Sequence, residues 1–296
     1  MAHNLSGVFP ALVTPFNKGK LSVSGLKSNI KRLNQFGFTG YVVLGSTGEG
    51  ILLNEKEGLQ AVEAVRAAAA PGKIVIAGTG SESASGTITF SNKAARAGAE
   101  YSLVVTPFYY KAQMTAAALE AYYREVADKS KLPIILYTVP KFTGLELPLQ
   151  TIAAMSAHQN VVGLKDSSGN MSAISETIKA CPADFCLFQG HGSLLFSALL
   201  LGAKGGILAL SNIAPAETVE LYRLFQTGDY DKARQMQLRL LPVNQRIVGG
   251  YGVPGIKCAA ELLGYAAGDP RPPLGPVNEE TRKAIGRILQ EAHLLK

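Results

Sequence analysis

The sequence predicts an α/β chain that folds as a (β/α)8 TIM barrel with a C-terminal helical extension. Eight short apolar runs rich in β-branched residues recur along most of the chain. Continuous runs of this kind are typical of strands buried on both faces, and therefore of a parallel sheet. Segments with helical periodicity separate the runs, which begin about 20 to 35 residues apart, the length of a βα unit. Eight such units close into a barrel.

The predicted strands are GVFPALVTP, GYVVLG, KIVIAG, YSLVVT, PIILYT, VVGLK, FCLFQG and GGILAL, which begin at Gly7, Gly40, Lys73, Tyr101, Pro133, Val161, Phe185 and Gly205. Helical segments between them begin at Leu53, Met114 and Ala216. Asn54, three residues before Glu57, and Thr115 are suitable N-terminal caps. A doubly wound open sheet is the competing architecture, but it requires a glycine fingerprint after the first strand. That strand is followed by TPF instead, so the barrel is favoured.

The pattern changes after about residue 226, where helical segments follow one another without strands. Their sequences are DYDKARQMQLRLLPVNQRI, VPGIKCAAELLG and NEETRKAIGRILQEA. A Pro- and Gly-rich connector from Gly264 to Pro276 joins the last two. We therefore predict a barrel over residues 1–225 and a helical extension of the same domain over residues 226–296.

Composition narrows the function classes. The net charge of +7 is spread along the chain, with no basic run and no interleaved aromatic stripe, which argues against nucleic-acid binding and favours small anionic partners. No apolar run is long enough to span a membrane. Three cysteines without metal-ligand spacing indicate reduced thiols and a cytoplasmic location. Four scattered histidines form no metal motif, so we expect neither a metal nor a cofactor.

Working residues in a (β/α)8 barrel lie at the carboxyl ends of the strands. Lys165 ends the sixth predicted strand. A lysine at a strand end usually extends its ammonium to solvent. If it is buried, the neutral amine is favoured, and that form can attack a carbonyl carbon to give an imine. The next residue, Asp166, points to the opposite face of the strand and need not pair with it. The barrel position favours the catalytic interpretation.

Imine chemistry needs a proton shuttle and an anion site. Tyr137 ends the adjacent strand and is placed for the first role, although a structural tyrosine at the rim is common. The GSTGEG segment after strand two is rich in small residues, so its backbone N–H groups can converge on a carboxylate, with Ser46 and Thr47 adding hydroxyl donors. A plain glycine turn is the alternative. Glu49 is expected to be structural in either case.

These segments resemble the dihydrodipicolinate synthase / N-acetylneuraminate lyase family of pyruvate-dependent class I aldolases. The resemblance runs from ALVTPF through GSTGE, VVTPFYY, ILYTVP and GLKDSSG to GVPGIK. It implies that Lys165 forms the Schiff base with pyruvate and that Tyr137 shuttles protons. It also implies that Ser46 connects Tyr137 to Tyr109 of a neighbouring subunit, that Thr47 binds the substrate carboxylate, and that the protein is a homotetramer built as a dimer of dimers.

Within the family, VVTPFYYKAQMTAAAL, YTVPKFTGLELP and VVGLKDSSG are most similar to 4-hydroxy-2-oxoglutarate aldolases. This implies cleavage of a 2-keto acid to pyruvate and an aldehyde, with Ser167, Gly190 and Ile207 among the substrate-binding residues. Phe142 stands where the synthases carry an arginine, so synthase activity is not favoured. The alternatives are a 2-keto-3-deoxy sugar-acid aldolase, an N-acetylneuraminate lyase, a dihydrodipicolinate synthase and a non-catalytic keto-acid-binding homologue.

Overall fold

The computed structural model describes residues 5–295 and contains the predicted barrel. Its strands are β1 (Gly7–Pro10), β2 (Gly40–Val43), β3 (Ile74–Gly78), β4 (Tyr101–Val105), β5 (Ile134–Thr138), β6 (Val161–Asp166), β7 (Cys186–Gln189) and β8 (Gly205–Leu208). Neighbouring strands pair in parallel, and β1 pairs with β8. The bridge between Ala11 and Val42, together with the 2.9 Å hydrogen bond from Leu12 N to Val42 O, closes the ring. All eight predicted strands are confirmed.

The helices that follow the strands are α1 (Val23–Leu33), α2 (Glu55–Ala68), α3 (Ala84–Arg96), α4 (Ala116–Lys129), the short α5 (Pro140–Thr143), α6 (Leu149–Ser156), α7 (Met171–Ala180), α8 (Leu195–Leu201) and α9 (Pro215–Gln226). The predicted caps are confirmed. Asn54 and Glu57 form a reciprocal capping box at the start of α2, and the Thr115 side chain accepts from Ala118 N at the start of α4. Across residues 5–295, no helix is long and apolar enough to cross a membrane.

Side chains of alternate strand residues fill the barrel interior, because successive residues of a strand point to opposite faces. This interior cluster includes Phe9, Val42, Ile76, Leu103, Ile135, Val162, Phe188 and Ile207. Phe9 and Phe188 meet edge to face, with their ring centroids 5.7 Å apart. The residues between them, such as Leu136 and Leu164, pack outward against the surrounding helices. Polar groups near the carboxyl ends of the strands therefore lie directly above the packed apolar interior of the barrel.

The C-terminal residues form α10 (Tyr230–Pro242), a π-helical segment (Val243–Tyr251), α11 (Gly252–Leu262) and α12 (Glu279–Glu291). Leu240, Ile256 and Ile285 of these helices belong to the same apolar cluster as Ile30 of α1 and Val62 of α2. The extension thus shares a core with one flank of the barrel. The division at residue 226 itself stays a prediction.

The connector between α11 and α12 is fixed to α2 by Arg271. Its guanidinium makes a two-pronged contact with Glu57, including a 2.8 Å bond from one terminal nitrogen, and both side chains are mostly buried. The hydrogen bond from Arg271 lowers the pKa of Glu57 below its ordinary value of 4.5. A carboxyl whose pKa is depressed by folding stabilises the fold above that ordinary value, and this contribution is lost as pH falls through the folded pKa.

We therefore expect Arg271→Met to lower the free energy of unfolding by about 1 to 2 kcal/mol at neutral pH. The difference from the native chain should shrink below about pH 4.5, as Glu57 becomes protonated in both proteins. Urea titrations at several pH values measure this. Arg124→Met, which breaks the exposed pair with Glu120, is the matched control and should cost less than about 0.5 kcal/mol. A difference that is independent of pH would contradict the assignment.

Candidate active site

Lys165 lies at the carboxyl end of β6, and its side chain points into the barrel. It is only 4% exposed. Leu164 packs outward, so the alternation of the strand directs Lys165 inward. The Lys165 Nζ atom lies 4.3 Å from the centre of the Tyr137 ring. Within the described residues, Lys165 has no hydrogen-bond or ion-pair partner, so the amine is not committed to a structural contact.

Tyr137 and Ser46 meet beside this amine. Tyr137 is the register partner of Lys165 on the adjacent strand β5 and is 5% exposed. Its hydroxyl lies 3.4 Å from Ser46 Oγ, at the long end of the hydrogen-bonding range. Strand pairing therefore places an amine and a phenol side by side, and the turn after β2 adds a second hydroxyl. The structure brings together three of the four residues predicted to be catalytic.

Asp166 faces away from the amine, as the strand alternation predicted. Its carboxylate accepts hydrogen bonds from Ser168 N at 2.7 Å and from Ser168 Oγ at 2.6 Å. Burial raises the pKa of Asp166, and the bonds from Ser168 partly oppose this effect. The role of Asp166 is thus to shape the loop after β6, and it does not neutralise Lys165.

The GSTGEG segment forms a tight 3-10 turn over Ser46–Gly48. Thr47 is half-buried in this turn. The backbone before and after the turn is left-handed at two non-glycine residues, Leu44 (φ 64°) and Glu49 (φ 55°). Thr14 Oγ1 donates to Gly48 O at 2.5 Å and ties the turn to the segment after β1. This turn holds Ser46 and Thr47 on a fixed and strained backbone at the barrel mouth.

Ser167 and Gly190 meet at the ends of β6 and β7. Gly190 N donates to Asp166 O at 2.7 Å. A Cβ at position 190 would lie 1.9 Å from Ser167 Oγ and 2.8 Å from the backbone oxygen of Asp166, so only glycine fits this close approach without a shift of the backbone. The Nε2 atom of His191 lies 3.1 Å from Ser167 O. Ile207 is fully buried in the barrel interior, in the same apolar cluster as Tyr137. Ser167 and Gly190 therefore lie at the carboxyl ends of the strands, and Ile207 lies in the apolar interior of the barrel.

Tyr109 is not brought to the amine within this chain. It is 73% exposed. The backbone N–H groups of Phe108 and Tyr109 both donate to the carboxylate of Glu82, at 3.0 and 2.9 Å. Its ring packs edge to face on Tyr110, at a centroid distance of 5.0 Å. Glu82 therefore fixes a loop that presents two aromatic rings outward.

Phe142 lies on the short helix α5 and is 59% exposed. Lys141, its neighbour, donates from Nζ to Gly249 O in the π-helical segment at 2.8 Å. That ammonium is therefore engaged with the extension. The rim at this point presents an aromatic side chain, without a free cation at position 141.

Sequence reasoning missed two contributors to the site. Glu82 carries no local motif and is recognised only through its contact with the TPFYY loop. Lys257 donates from Nζ to Glu49 Oε1 at 2.6 Å, and both side chains are fully buried. The lysine within the apolar segment GIKCAA could have indicated a buried charge that needs a partner. The expectation that Glu49 is structural agrees with this contact.

An eight-stranded barrel with a buried lysine, a tyrosine and a serine at the carboxyl ends of its strands is the arrangement of a lyase that works through a Schiff base. A model of the Dihydrodipicolinate synthetase family matches residues 4–292. The chain belongs to this family. It is therefore an enzyme of the lyase type, as its residues predicted.

Individual relatives agree over nearly the full length. The 4-hydroxy-tetrahydrodipicolinate synthase of Methanothrix thermoacetophila is 36% identical over 286 residues, covering 96% of this chain and 95% of that protein. The synthase of the same name from Methanospirillum hungatei JF-1 is 38% identical over 288 residues, covering 96% and 98%. The crystal structure of the chloride-inhibited dihydrodipicolinate synthase from Acinetobacter baumannii, complexed with pyruvate, superposes with a TM-score of 0.93 at 27% identity, covering 98% of this chain and 99% of that one.

Proposed function

We propose that the chain is a pyruvate-dependent lyase that cleaves 4-hydroxy-2-oxoglutarate, or a similar 2-keto acid, to pyruvate and an aldehyde. The observation that carries the proposal is the buried Lys165 amine, which has no partner within residues 5–295 and lies 4.3 Å from the Tyr137 ring. Binding alone would not need an imine-forming amine beside a phenol. A non-catalytic keto-acid-binding protein is therefore not favoured.

In the proposed reaction, Lys165 Nζ attacks the C2 carbonyl of the keto acid, and water leaves as the imine forms. The protonated imine withdraws electrons while the C3–C4 bond breaks. Tyr137 takes the proton of the C4 hydroxyl while its own phenol proton passes to Ser46, so the aldehyde departs. The remaining enamine takes a proton from Tyr137 at C3, and hydrolysis releases pyruvate and the free lysine. Ser46 relays the proton from Tyr137, and Thr47 with its turn N–H groups holds the substrate carboxylate.

The assembly is part of the same proposal. A homotetramer built as a dimer of dimers would cover the exposed rings of Tyr109 and Tyr110, which are 73% and 66% exposed. It would also bring Tyr109 of one subunit to Ser46 of another. We also propose that the enzyme acts in the cytoplasm, and the three cysteines without metal-ligand spacing support this.

Synthesis of 4-hydroxy-tetrahydrodipicolinate from pyruvate and aspartate semialdehyde is the second candidate, because the relatives at 36% and 38% identity carry that name. Phe142 argues against it, since an exposed phenyl ring cannot bind a carboxylate as an arginine does. Lys141 is no substitute while its ammonium binds Gly249 O.

A substrate panel separates these functions. We expect the native chain to release pyruvate from 4-hydroxy-2-oxoglutarate faster than from 2-keto-3-deoxy sugar acids or N-acetylneuraminate. We also expect little condensation of pyruvate with aspartate semialdehyde. If the condensation has the highest kcat/KM of the panel, the chain is a synthase and the cleavage proposal is wrong.

Phe142→Arg tests whether the residue at position 142 decides if aspartate semialdehyde is used as a substrate. A charge-assisted bond to a carboxylate is worth about 1.5 to 3 kcal/mol, so we expect kcat/KM for aspartate semialdehyde to rise roughly 10- to 100-fold. Phe142→Gln removes the ring without adding a charge and is the matched control, which should show no such gain. An equal response to both substitutions would mean that position 142 does not contact the second carboxylate.

A further inference from the structure

A buried ion pair joins the C-terminal extension to the turn that carries Ser46 and Thr47. Lys257, on α11, and Glu49, at the end of the turn, are 208 residues apart in sequence. Their charged atoms are 2.6 Å apart, and the side chains are 1% and 0% exposed. Two charges this deeply buried are costly unless their hydrogen-bonding groups are satisfied.

Each group has a second hydrogen-bond partner. The second oxygen of Glu49 accepts from Arg271 N at 2.7 Å, and Lys257 Nζ also donates to Asp269 O at 3.3 Å. The cations of Lys257 and Arg271 lie 4.2 and 4.4 Å from the centre of the Phe16 ring. The Glu49 carboxylate is therefore held by the extension and is not directed toward the barrel mouth.

The turn needs such an anchor because of its backbone. Glu49 is left-handed (φ 55°, ψ 30°), a conformation that a non-glycine residue keeps only where its surroundings impose it. The next residue, Gly50, approaches the backbone so closely that a Cβ would lie 2.2 Å from Leu44 O. Thr14 holds one side of the turn through Gly48 O, and Lys257 holds the other.

We propose that Lys257 and Glu49 are positioning residues for the proton path of the reaction, an inference that rests on the proposed function. The ion pair fixes the turn so that Ser46 Oγ stays within reach of Tyr137 OH. That contact is already 3.4 Å long, so a small shift of the turn breaks it. Imine formation at Lys165 does not require this contact, whereas proton transfer at C3 of the bound pyruvate does.

The test separates these two steps with pyruvate alone. Borohydride reduces the imine and traps it on Lys165, which reports imine formation. Exchange of the pyruvate methyl protons for solvent deuterium, followed by NMR, reports proton transfer. The variants are Lys257→Met, which leaves Glu49 unpaired, and the double variant Glu49→Gln/Lys257→Met, which leaves no buried charge. Lys93→Met, which breaks an exposed pair with Glu55 at the start of α2, is the matched control.

We expect both Lys257 variants to form the trapped adduct at saturating pyruvate and to exchange methyl protons about 10²-fold more slowly, the effect of a displacement near 1 Å. The double variant should melt higher than Lys257→Met, because no charge is left unpaired, and its exchange should still be slow. Lys93→Met should behave as the native chain.

Native exchange in a double variant with restored melting temperature would overturn the proposal, because the pair would then be structural only. If the double variant does not fold, Glu49→Gln alone gives the answer: slow exchange with full trapping supports the proposal, and native exchange overturns it. Absence of a trapped adduct in the native chain would instead show that the proposed function is wrong.

Discussion

Lys165→Met is expected to fold normally and to lose turnover by on the order of 10⁴-fold or more, as loss of a covalent nucleophile does. Methionine keeps an unbranched apolar side chain that is one atom shorter, and it has no amine. The site has no carboxylate that pairs with Lys165 within the described residues, so its removal leaves no orphaned charge. Pyruvate release from the best substrate of the panel and the melting temperature are the measurements.

Lys204→Met is the matched control for this substitution. Lys204 is a half-buried lysine immediately before β8, at the opposite end of the barrel from Lys165. Its replacement should leave turnover within about twofold of native, because function in this fold is confined to the carboxyl ends of the strands. A Lys165→Met protein that retains turnover would remove the Schiff-base mechanism.

Tyr137→Phe should keep the pyruvate adduct and slow turnover by about 10²- to 10⁴-fold, the range of a lost general acid–base group. The ring remains beside Lys165 Nζ, so the pocket for imine formation is retained. The hydroxyl that contacts Ser46 is lost, and with it the route for the proton. Borohydride trapping and deuterium exchange of the pyruvate methyl group, measured on the same sample, separate the two effects.

Tyr123→Phe provides the comparison for Tyr137→Phe. Tyr123 is a fully buried tyrosine outside the barrel, and its hydroxyl contacts Thr106 Oγ1 at 3.3 Å. Losing that hydroxyl should cost stability and leave proton exchange unchanged. Native exchange in Tyr137→Phe would show that another group is the shuttle.

Local sequence patterns predicted the barrel because each strand carries its own signal. A buried parallel strand must be apolar throughout, so β5 and β6 were recognisable as the runs PIILYT and VVGLK. The capping box of Asn54 and Glu57 is equally local. Active sites of (β/α)8 barrels lie at the carboxyl ends of the strands. The ends of these two runs therefore predicted a site that contains Lys165 and Tyr137, on adjacent strands.

Contacts between distant segments were not predictable in the same way. The ion pair of Lys257 and Glu49 spans most of the chain, and no periodicity encodes it. The C-terminal pattern indicated ordinary helices, whereas residues Val243–Tyr251 adopt the wider π-helical turn directly after Pro242. Proline lacks the backbone donor of a regular helix, but the resulting geometry depends on what packs around it.

The proposed substrate contact of Phe142 was also not predictable from local sequence. Its position on α5 follows from the strand assignment, and its exposure of 59% follows from the fold. Which aldehyde it faces depends on the shape of the whole mouth. The contacts of Tyr109 were not predictable from local sequence either. Glu82 fixes its outward orientation, and its proposed partner is a second subunit.

The most direct test of a Schiff base at Lys165 is borohydride reduction of the native chain with saturating pyruvate, followed by peptide mass mapping. We predict a reduced pyruvate adduct on the peptide that contains Lys165, and no adduct in Lys165→Met. An adduct on another lysine would contradict the assigned nucleophile. No adduct in folded native protein would contradict the Schiff-base mechanism itself.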